Sequence, residues 1–283
     1  MSRADAIRCT TCPRGCLLAP GAIGACRARG NVDGTVTPVG YGCVTSLAVD
    51  PIEKKPIARW KPGTTVLSLG GFGCNLHCPW CQNHSISQVG EGEVDWREYA
   101  PDDIARLAAL MNDNNPDMVG VAYTYNEPLV AWEFVRDCAE YVHVFGLSNV
   151  LVSAGCVSRE VIGELAPLID AANIDLKSFR DETYRMVGGD LATVKASIET
   201  LAATPTCHLE VTTLIVPGVN DSREEMDELA AWLASVDEDI TLHVSRFHPA
   251  YRMRDRGRTS VPLVYELADV ARAHLAHVFT GNC

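Results

Sequence analysis

Three cysteines stand close together at Cys74-x3-Cys78-x2-Cys81, inside the run GGFGCNLHCPWCQN. Thiolates this close can hold three irons of a cubane iron–sulfur cluster. No fourth cysteine is adjacent. The fourth iron therefore keeps an open coordination position, as a catalytic metal does and a structural one does not. A chelating ligand can occupy that position. Gly70, Gly71 and Gly73 let the backbone approach the cluster and offer N–H groups to its sulfurs. The competing readings are a zinc site that recruits His77 or His84, or unrelated core cysteines. Zinc sites commonly pair two Cys-x2-Cys units, and the Cys74-x3-Cys78 spacing is awkward for them.

Such a loop needs a rigid frame. From residue 64 the sequence alternates short apolar runs with amphipathic stretches. The runs 64–70, 118–125, 149–154, 173–177, 208–216 and 240–246 read as strands. Helical patterns follow at about 101–112, 128–142, 158–168, 181–187 with 191–203, 222–235 and 261–276, and 277–281 begins a further strand. The runs are apolar throughout, as parallel strands covered on both faces are. Six strand–helix units predict a parallel sheet with right-handed crossovers. They are fewer than the eight of a closed barrel. The expected fold is α/β, a partial (β/α)6 TIM-like barrel, with a doubly wound sheet as the alternative.

Ligands of such folds bind at the carboxyl ends of the strands. The first run leads into the three cysteines and the second into Asn126-Glu127-Pro128. The third leads into Ser153-Ala154-Gly155-Cys156, and the fourth ends in Asp175-Leu176-Lys177. The fifth is followed by Pro217–Asp221 and the sixth by Arg246-Phe247-His248-Pro249. Their convergence on one rim favours an enzyme over a structural protein. Asp175 and Lys177 also read as an ordinary strand-end ion pair, and His248 as a structural histidine.

The chain divides into a Cys-rich segment, 1–50, and a core, 51–283, entered through the proline-rich connector 51–62. The first segment is too small to build much core and calls for a metal staple. Cys9-x2-Cys12-x3-Cys16-x9-Cys26 could supply a second site for zinc or an auxiliary iron–sulfur cluster, with Gly15, Gly21 and Gly24 suited to a loop around it. Free thiols in a flexible arm are the plain alternative. Cys138 and Cys207 read as small buried hydrophobes. His143, His208, His274 and His277 read as structural by default.

The formal net charge of −12 disfavours broad nucleic-acid binding. Arg246, Arg252, Arg254, Arg256 and Arg258 form a local exception, read as a solvated loop or as an anion-binding rim. No stretch approaches a membrane span, and MSRADAIRCT lacks the apolar region of a secretory signal. A cytoplasmic location is expected, where twelve cysteines point to metal rather than disulfides.

The three-cysteine spacing after the first strand, with Trp80 preceding the third cysteine, resembles the radical SAM superfamily. Residues 61–250 are similar to its pyruvate formate-lyase activating enzyme-like branch. The stretches DPIEKKP, GCNLHCPWCQNHSIS, YTYNEP, IDAANIDLKSF, VTTLIVPGVNDS and HVSRFHP resemble the radical SAM member of the AmmeMemoRadiSam system. The resemblance covers nearly the whole chain. It implies a [4Fe–4S] cluster on Cys74, Cys78 and Cys81, whose open iron chelates the amino and carboxylate groups of S-adenosylmethionine (SAM). Trp80 and Asn126 fall in the cofactor-contacting motifs, and Glu127 is the implied acceptor for the SAM amino group. Lys177, with Asp175 beside it, suits the SAM carboxylate; Ser153 lies near the ribose and His248 near the adenine.

The implied activity is reductive cleavage of SAM to a 5′-deoxyadenosyl radical, which abstracts hydrogen from a substrate. That substrate is a peptide or small molecule handled with partner proteins of the AmmeMemoRadiSam system, or the glycine backbone of a glycyl-radical enzyme. The setting is anaerobic, with flavodoxin or ferredoxin as reductant. A non-catalytic iron–sulfur or zinc-binding module is the rival from another class, and it predicts no dependence on Glu127 or Lys177. Two positions depart from the pattern. Ala154 stands where the family usually has asparagine, and Cys43 where the subfamily often has a basic residue. Related sequences also continue beyond Gly281-Asn282 into a further cysteine-bearing segment, which bears on the substrate.

Overall fold

A computed structural model describes residues 6–283; the first five residues of the Cys-rich segment lie outside the described residues. The N-terminal segment folds as small antiparallel pairs: β1 (Ile7–Arg8) with β2 (Leu17–Leu18), and β3 (Arg29–Val32) with β4 (Thr35–Pro38). β5 (Cys43–Val44) follows and pairs with β8 (Arg97–Glu98).

The main sheet has eight strands. Its strands are β6 (Ser46–Pro51), β7 (Thr65–Gly70), β9 (Met118–Tyr123), β10 (Ser148–Ser153), β11 (Ala171–Asp175), β12 (His208–Ile215), β13 (Thr241–Arg246) and β14 (His277–Gly281). They stand side by side in that order, all parallel except the antiparallel β6–β7 pair. The sheet does not close, because β6 and β14 are its two edges. The expected partial barrel is thus the observed architecture. Strand β6 was not expected; it reaches back across residue 50, so the sheet takes its first strand from both sides of the segment boundary read in the sequence. Its alternation is interrupted by exposed Val49, which hid it.

The crossovers are α2 (Pro101–Asn114), α3 (Trp132–Val144), α4 (Arg159–Leu165), α5 (Asp181–Val187) with α6 (Leu191–Ala202), α7 (Arg223–Val236) and α8 (Val261–Ala271); the short α1 (His84–Ser87) follows the three cysteines. Four of these helices are opened by capping side chains. Ser158, Asp190, Ser222 and Ser260 accept from the backbone N–H of Val161, Thr193, Glu225 and Leu263. Each such cap satisfies a donor that the first turn leaves free, worth about 1 kcal/mol.

Side-chain alternation along the strands separates two apolar layers. Leu67, Val121, Tyr123, Leu151, Ile174, Val211 and Val244 belong to the core shared with the helices. Val66, Ala122, Val150 and Ala171 form a second layer with Ile52 and Ile57. The connector 51–62 is therefore a plug across the concave face of the sheet. Its backbone is held there by polar side chains of the strands. Asn173 Nδ2 donates to the Pro56 carbonyl (2.7 Å), and Glu210 accepts from the N–H groups of Ala58 and Arg59 (3.0 and 2.8 Å). His208 and His243 contact the same carboxylate.

Candidate functional site

Above the plug, at the carboxyl ends of the strands, lies a cleft with a volume of about 290 Å3. This is close to the size of small-molecule sites. Cys74, Cys78 and Cys81 all line it, with Trp80, Asn126, Glu127, Ser153, Asp175 and Lys177. Four segments far apart in sequence thus meet where the strand reading placed a rim. His248 is not among the lining residues; its Nε2 lies 3.3 Å from the carbonyl of Asn282, which does line the cleft.

The cysteine loop is fastened from several sides. Asn126 Oδ1 accepts from the Gly71 N–H (3.0 Å), and Nδ2 donates to the carbonyls of Phe72 and Gly73 (3.1 Å each). Asn126 is therefore bound up with the backbone before Cys74 and fastens that loop while it also lines the cleft. Gly73 has φ +81°, and a Cβ there would meet the Cys26 carbonyl at 2.5 Å, so only glycine fits. The Leu76 N–H points at Cys74 Sγ (3.3 Å), and Ser87 Oγ lies 3.2 Å from Cys81 Sγ. Burial pushes the Cys78 thiol up to about 11, against the pull of nearby Lys177, and raises Cys74 well above its ordinary value. Coordination to metal deprotonates such thiols outright. Among the described residues, no three Cys, His, Asp or Glu side chains stand at the distances of a single metal ion.

Glu127 is buried at the cleft floor. Its carboxylate accepts from Ser153 Oγ (2.7 Å) and from the N–H groups of Ala154 (2.9 Å) and Leu129 (3.1 Å). Burial raises its pKa, and these donors with Lys177 hold the rise back. Ala154 thus contributes its backbone where the family pattern has a polar side chain. Lys177 Nζ sits 2.8 Å from Asp175 Oδ2. Burial alone would discharge the lysine, but the neighbouring Asp175 and Cys78 outweigh it and raise its pKa, so it stays cationic. The pair is more than a surface ion pair, because both residues face the cleft.

The structure adds residues that the sequence did not single out. Thr212, Leu214 and Ser245 line the cleft from inside the strands, one or more positions before the strand ends that carried the motif reading, and Thr124 lines it from just past the end of β9. Thr212 Oγ1 is buried there with no hydrogen-bond partner, so a polar ligand group can take it. Inward alternation along 208–216 was the signal that could have found it. Tyr125 has φ +69°, which a bulky residue rarely adopts. It is held there by donating its hydroxyl to Asp50 (2.5 Å), under the Lys55 ammonium 4.6 Å from its ring. The DPIEKKP stretch therefore braces the turn that presents Asn126 and Glu127.

The arginine-rich loop does not reach the cleft. Arg246 donates to the Thr259 carbonyl and Arg256 to that of Pro217, while Arg252, Arg254 and Arg258 are exposed. The loop instead covers the cysteine turn: the Arg252 N–H donates to the Pro79 carbonyl (2.9 Å) and Tyr251 stacks on His84 at 4.6 Å. Cys43 is buried on the far side of the cysteine loop, away from the cleft. Cys138 is fully buried in α3. The four remaining histidines each contact a carboxylate: His143 with Asp170, His208 with Glu210, His274 with Asp227 and His277 with Asp239.

This chain belongs to the radical SAM superfamily, whose description matches residues 69–233. It is an enzyme of that kind, with a [4Fe–4S] cluster and SAM as cofactors. An uncharacterized protein of Methanocaldococcus jannaschii is 37% identical over 280 residues, covering 98% of this chain and 81% of that protein. The benzylsuccinate synthase activating enzyme of Thauera aromatica is 25% identical over 198 residues, covering 68% of this chain and 58% of that enzyme. Among solved structures, Streptococcus suis SuiB bound to S-adenosylmethionine aligns with a TM-score of 0.60 at 12% identity, over 77% of this chain and 52% of that one. A domain of a pyruvate-formate lyase-activating enzyme from Bacteroides vulgatus aligns with a TM-score of 0.51 at 17% identity, over 58% of this chain and 99% of that one. Both share the fold. No helix among the described residues is long and apolar enough to cross a membrane.

Proposed function

We propose that Cys74, Cys78 and Cys81 ligate the [4Fe–4S] cluster and that SAM lies in the cleft between them and the strand ends β9–β13. The carrying observation is that three thiols, a buried carboxylate and a buried ammonium from separate strands line one cleft. When bound, the cluster supplies the electron that cleaves the SAM sulfonium reductively, generating the radical that takes hydrogen from the substrate. The protein's own work is positioning and exclusion of water. Asn126 fixes the loop that carries Cys74. Glu127, already holding Ser153 and Ala154, offers its remaining lone pairs to the SAM amino group, and Lys177 offers its ammonium to the SAM carboxylate. Thr212 Oγ1 is free for a polar group deeper in the cleft. Trp80 packs beside the cluster ligands, and His248, next to the Asn282 carbonyl at the cleft edge, serves the adenine.

The substrate is a peptide or small molecule processed with partner proteins of the AmmeMemoRadiSam type, and flavodoxin or ferredoxin supplies electrons in an anaerobic cytoplasm. A second reading, activation of a glycyl-radical enzyme, is supported by activating enzymes among the relatives, such as that of benzylsuccinate synthase. Anaerobic reconstitution followed by reduction with dithionite in the presence of SAM tests the core of the proposal. A fully loaded protein that forms no 5′-deoxyadenosine rules it out. Electron paramagnetic resonance after incubation with a candidate partner separates the two substrates, since only an activase leaves a stable glycyl radical on the partner.

A further inference from the structure

Cys9, Cys12, Cys16 and Cys26 border one small cavity of about 10 Å3, remote in sequence from the cleft cysteines. Two tight turns bring them there. The Cys9 N–H donates to the Cys16 carbonyl (2.8 Å) and the Gly15 N–H to that of Cys12 (3.2 Å); the Gly24 N–H donates to the Arg29 carbonyl (2.7 Å). A Cβ on Gly24 would stand 3.7 Å from Cys16 Sγ and 3.8 Å from Cys26 Sγ, so this glycine keeps the space between the two turns open.

A second observation points to an anionic occupant. Arg29 borders the same cavity and is only 4% exposed. Its terminal nitrogens are taken by Glu133 and by the Val130 and Val36 carbonyls, but its buried Nε–H has no partner. A buried donor without a partner is costly, and four thiolates around a divalent ion would supply the missing negative acceptor.

We propose that Cys9, Cys12, Cys16 and Cys26 bind a single four-coordinate thiophilic ion of the zinc class, and that this centre clamps the loop bearing Cys74. The cavity holds about one water-sized occupant. As they lie, the four sulfurs do not stand at the distances of a single ion, so binding turns them inward around the cavity; a cubane would in addition have to open a space of only about 10 Å3. Four thiolates leave no open position, which makes the centre structural. Its lever on the cleft is direct. The Cys26 carbonyl accepts from the Cys74 N–H (3.1 Å), and Asn75, the next residue, lines the metal cavity while donating to the Cys156 carbonyl (2.6 Å). The Thr11 carbonyl, between two of the ligands, accepts from the Ser158 N–H (2.9 Å) at the start of α4.

The inference does not rest on the radical SAM chemistry, and its test removes the cleft cluster altogether. A full-length chain with Cys74→Ala, Cys78→Ala and Cys81→Ala is purified in air and analysed by elemental analysis and zinc-edge X-ray absorption. The expected result is one zinc per chain with four sulfur ligands. Adding Cys12→Ser should reduce bound zinc to a small fraction and speed amide exchange at residues 71–78. If that variant does not fold, a thiol-blocking mercurial with a chromogenic chelator releases zinc from the folded triple variant, and exchange is followed in the same sample. Absence of metal, or iron with sulfide in place of zinc, overturns the site. Zinc release that leaves exchange at 71–78 unchanged overturns the clamp.

Discussion

The Glu127 carboxylate accepts a hydrogen bond from Ser153 Oγ at 2.7 Å, tying the end of β9 to the end of β10 across the cleft floor. Its other oxygen takes the Ala154 N–H (2.9 Å). Replacing Glu127 by Gln turns one acceptor into a donor facing a donor. Leaving a buried group unpaired costs about 1–3 kcal/mol. We expect SAM cleavage to fall at least about tenfold, with the larger loss in SAM affinity, measured as 5′-deoxyadenosine formed against SAM concentration.

Asn126 holds the cysteine loop by three hydrogen bonds to Gly71, Phe72 and Gly73. Asn126→Ala should lower iron and sulfide per chain after reconstitution while far-ultraviolet circular dichroism stays unchanged. Loss of the fold instead of the cluster would contradict a positioning role. The expected destabilisation is about 2 kcal/mol, from bonds worth about 1 kcal/mol each that water partly replaces.

Lys177 and Asp175 lie 2.8 Å apart, and Asp175 is substantially exposed. Lys177→Met should therefore cost only about 1 kcal/mol of stability, because Asp175 can be solvated. It should weaken SAM binding about tenfold or more, since a charge-assisted contact is worth about 1.5–3 kcal/mol. Isothermal titration of the reconstituted variant with SAM checks both the direction and the size.

Glu210 anchors the plug below the cleft. Burial would raise its pKa, but His208, His243 and the N–H groups of Arg59 and Ala58 outweigh this and bring it down to about 2 from 4.5. The folded value lies below the unfolded one, so the stabilisation is complete above about pH 4.5 and is lost as pH falls toward 2. Thermal unfolding should show that acid limb, and Glu210→Gln should flatten it. The same substitution should lower stability near neutral pH by about 3 kcal/mol, as breaking a buried charged network does.

Gly73→Ala combines φ +81° with a Cβ 2.5 Å from the Cys26 carbonyl. It should cost about 1–3 kcal/mol and reduce cluster loading, read from the visible absorbance of the reconstituted protein.

The sequence by itself determined the chemistry of the cysteine loop, because ligand spacing within one turn is local. It also determined the order of strands and helices: the apolar runs at 118–125 and 149–154 and the caps at Ser158 and Ser222 are short-range signals. Tertiary structure decided how far those signals reach. Strand β6 and the plug 51–62 depend on partners in β7, β11 and β12, and no periodicity within them reveals those contacts. Asn126 reads as a ligand contact because it shares a motif with Glu127; the fold adds that its amide also fastens Gly71–Gly73. Thr212 became part of the cleft because curvature of the open sheet turns its side chain inward. The two cysteine groups are separate in sequence, and it took the approach of the Cys26 carbonyl to the Cys74 N–H to make them neighbours. Local spacing specifies what a residue can bind, whereas burial, orientation and shared hydrogen bonds arise only when distant segments are packed together.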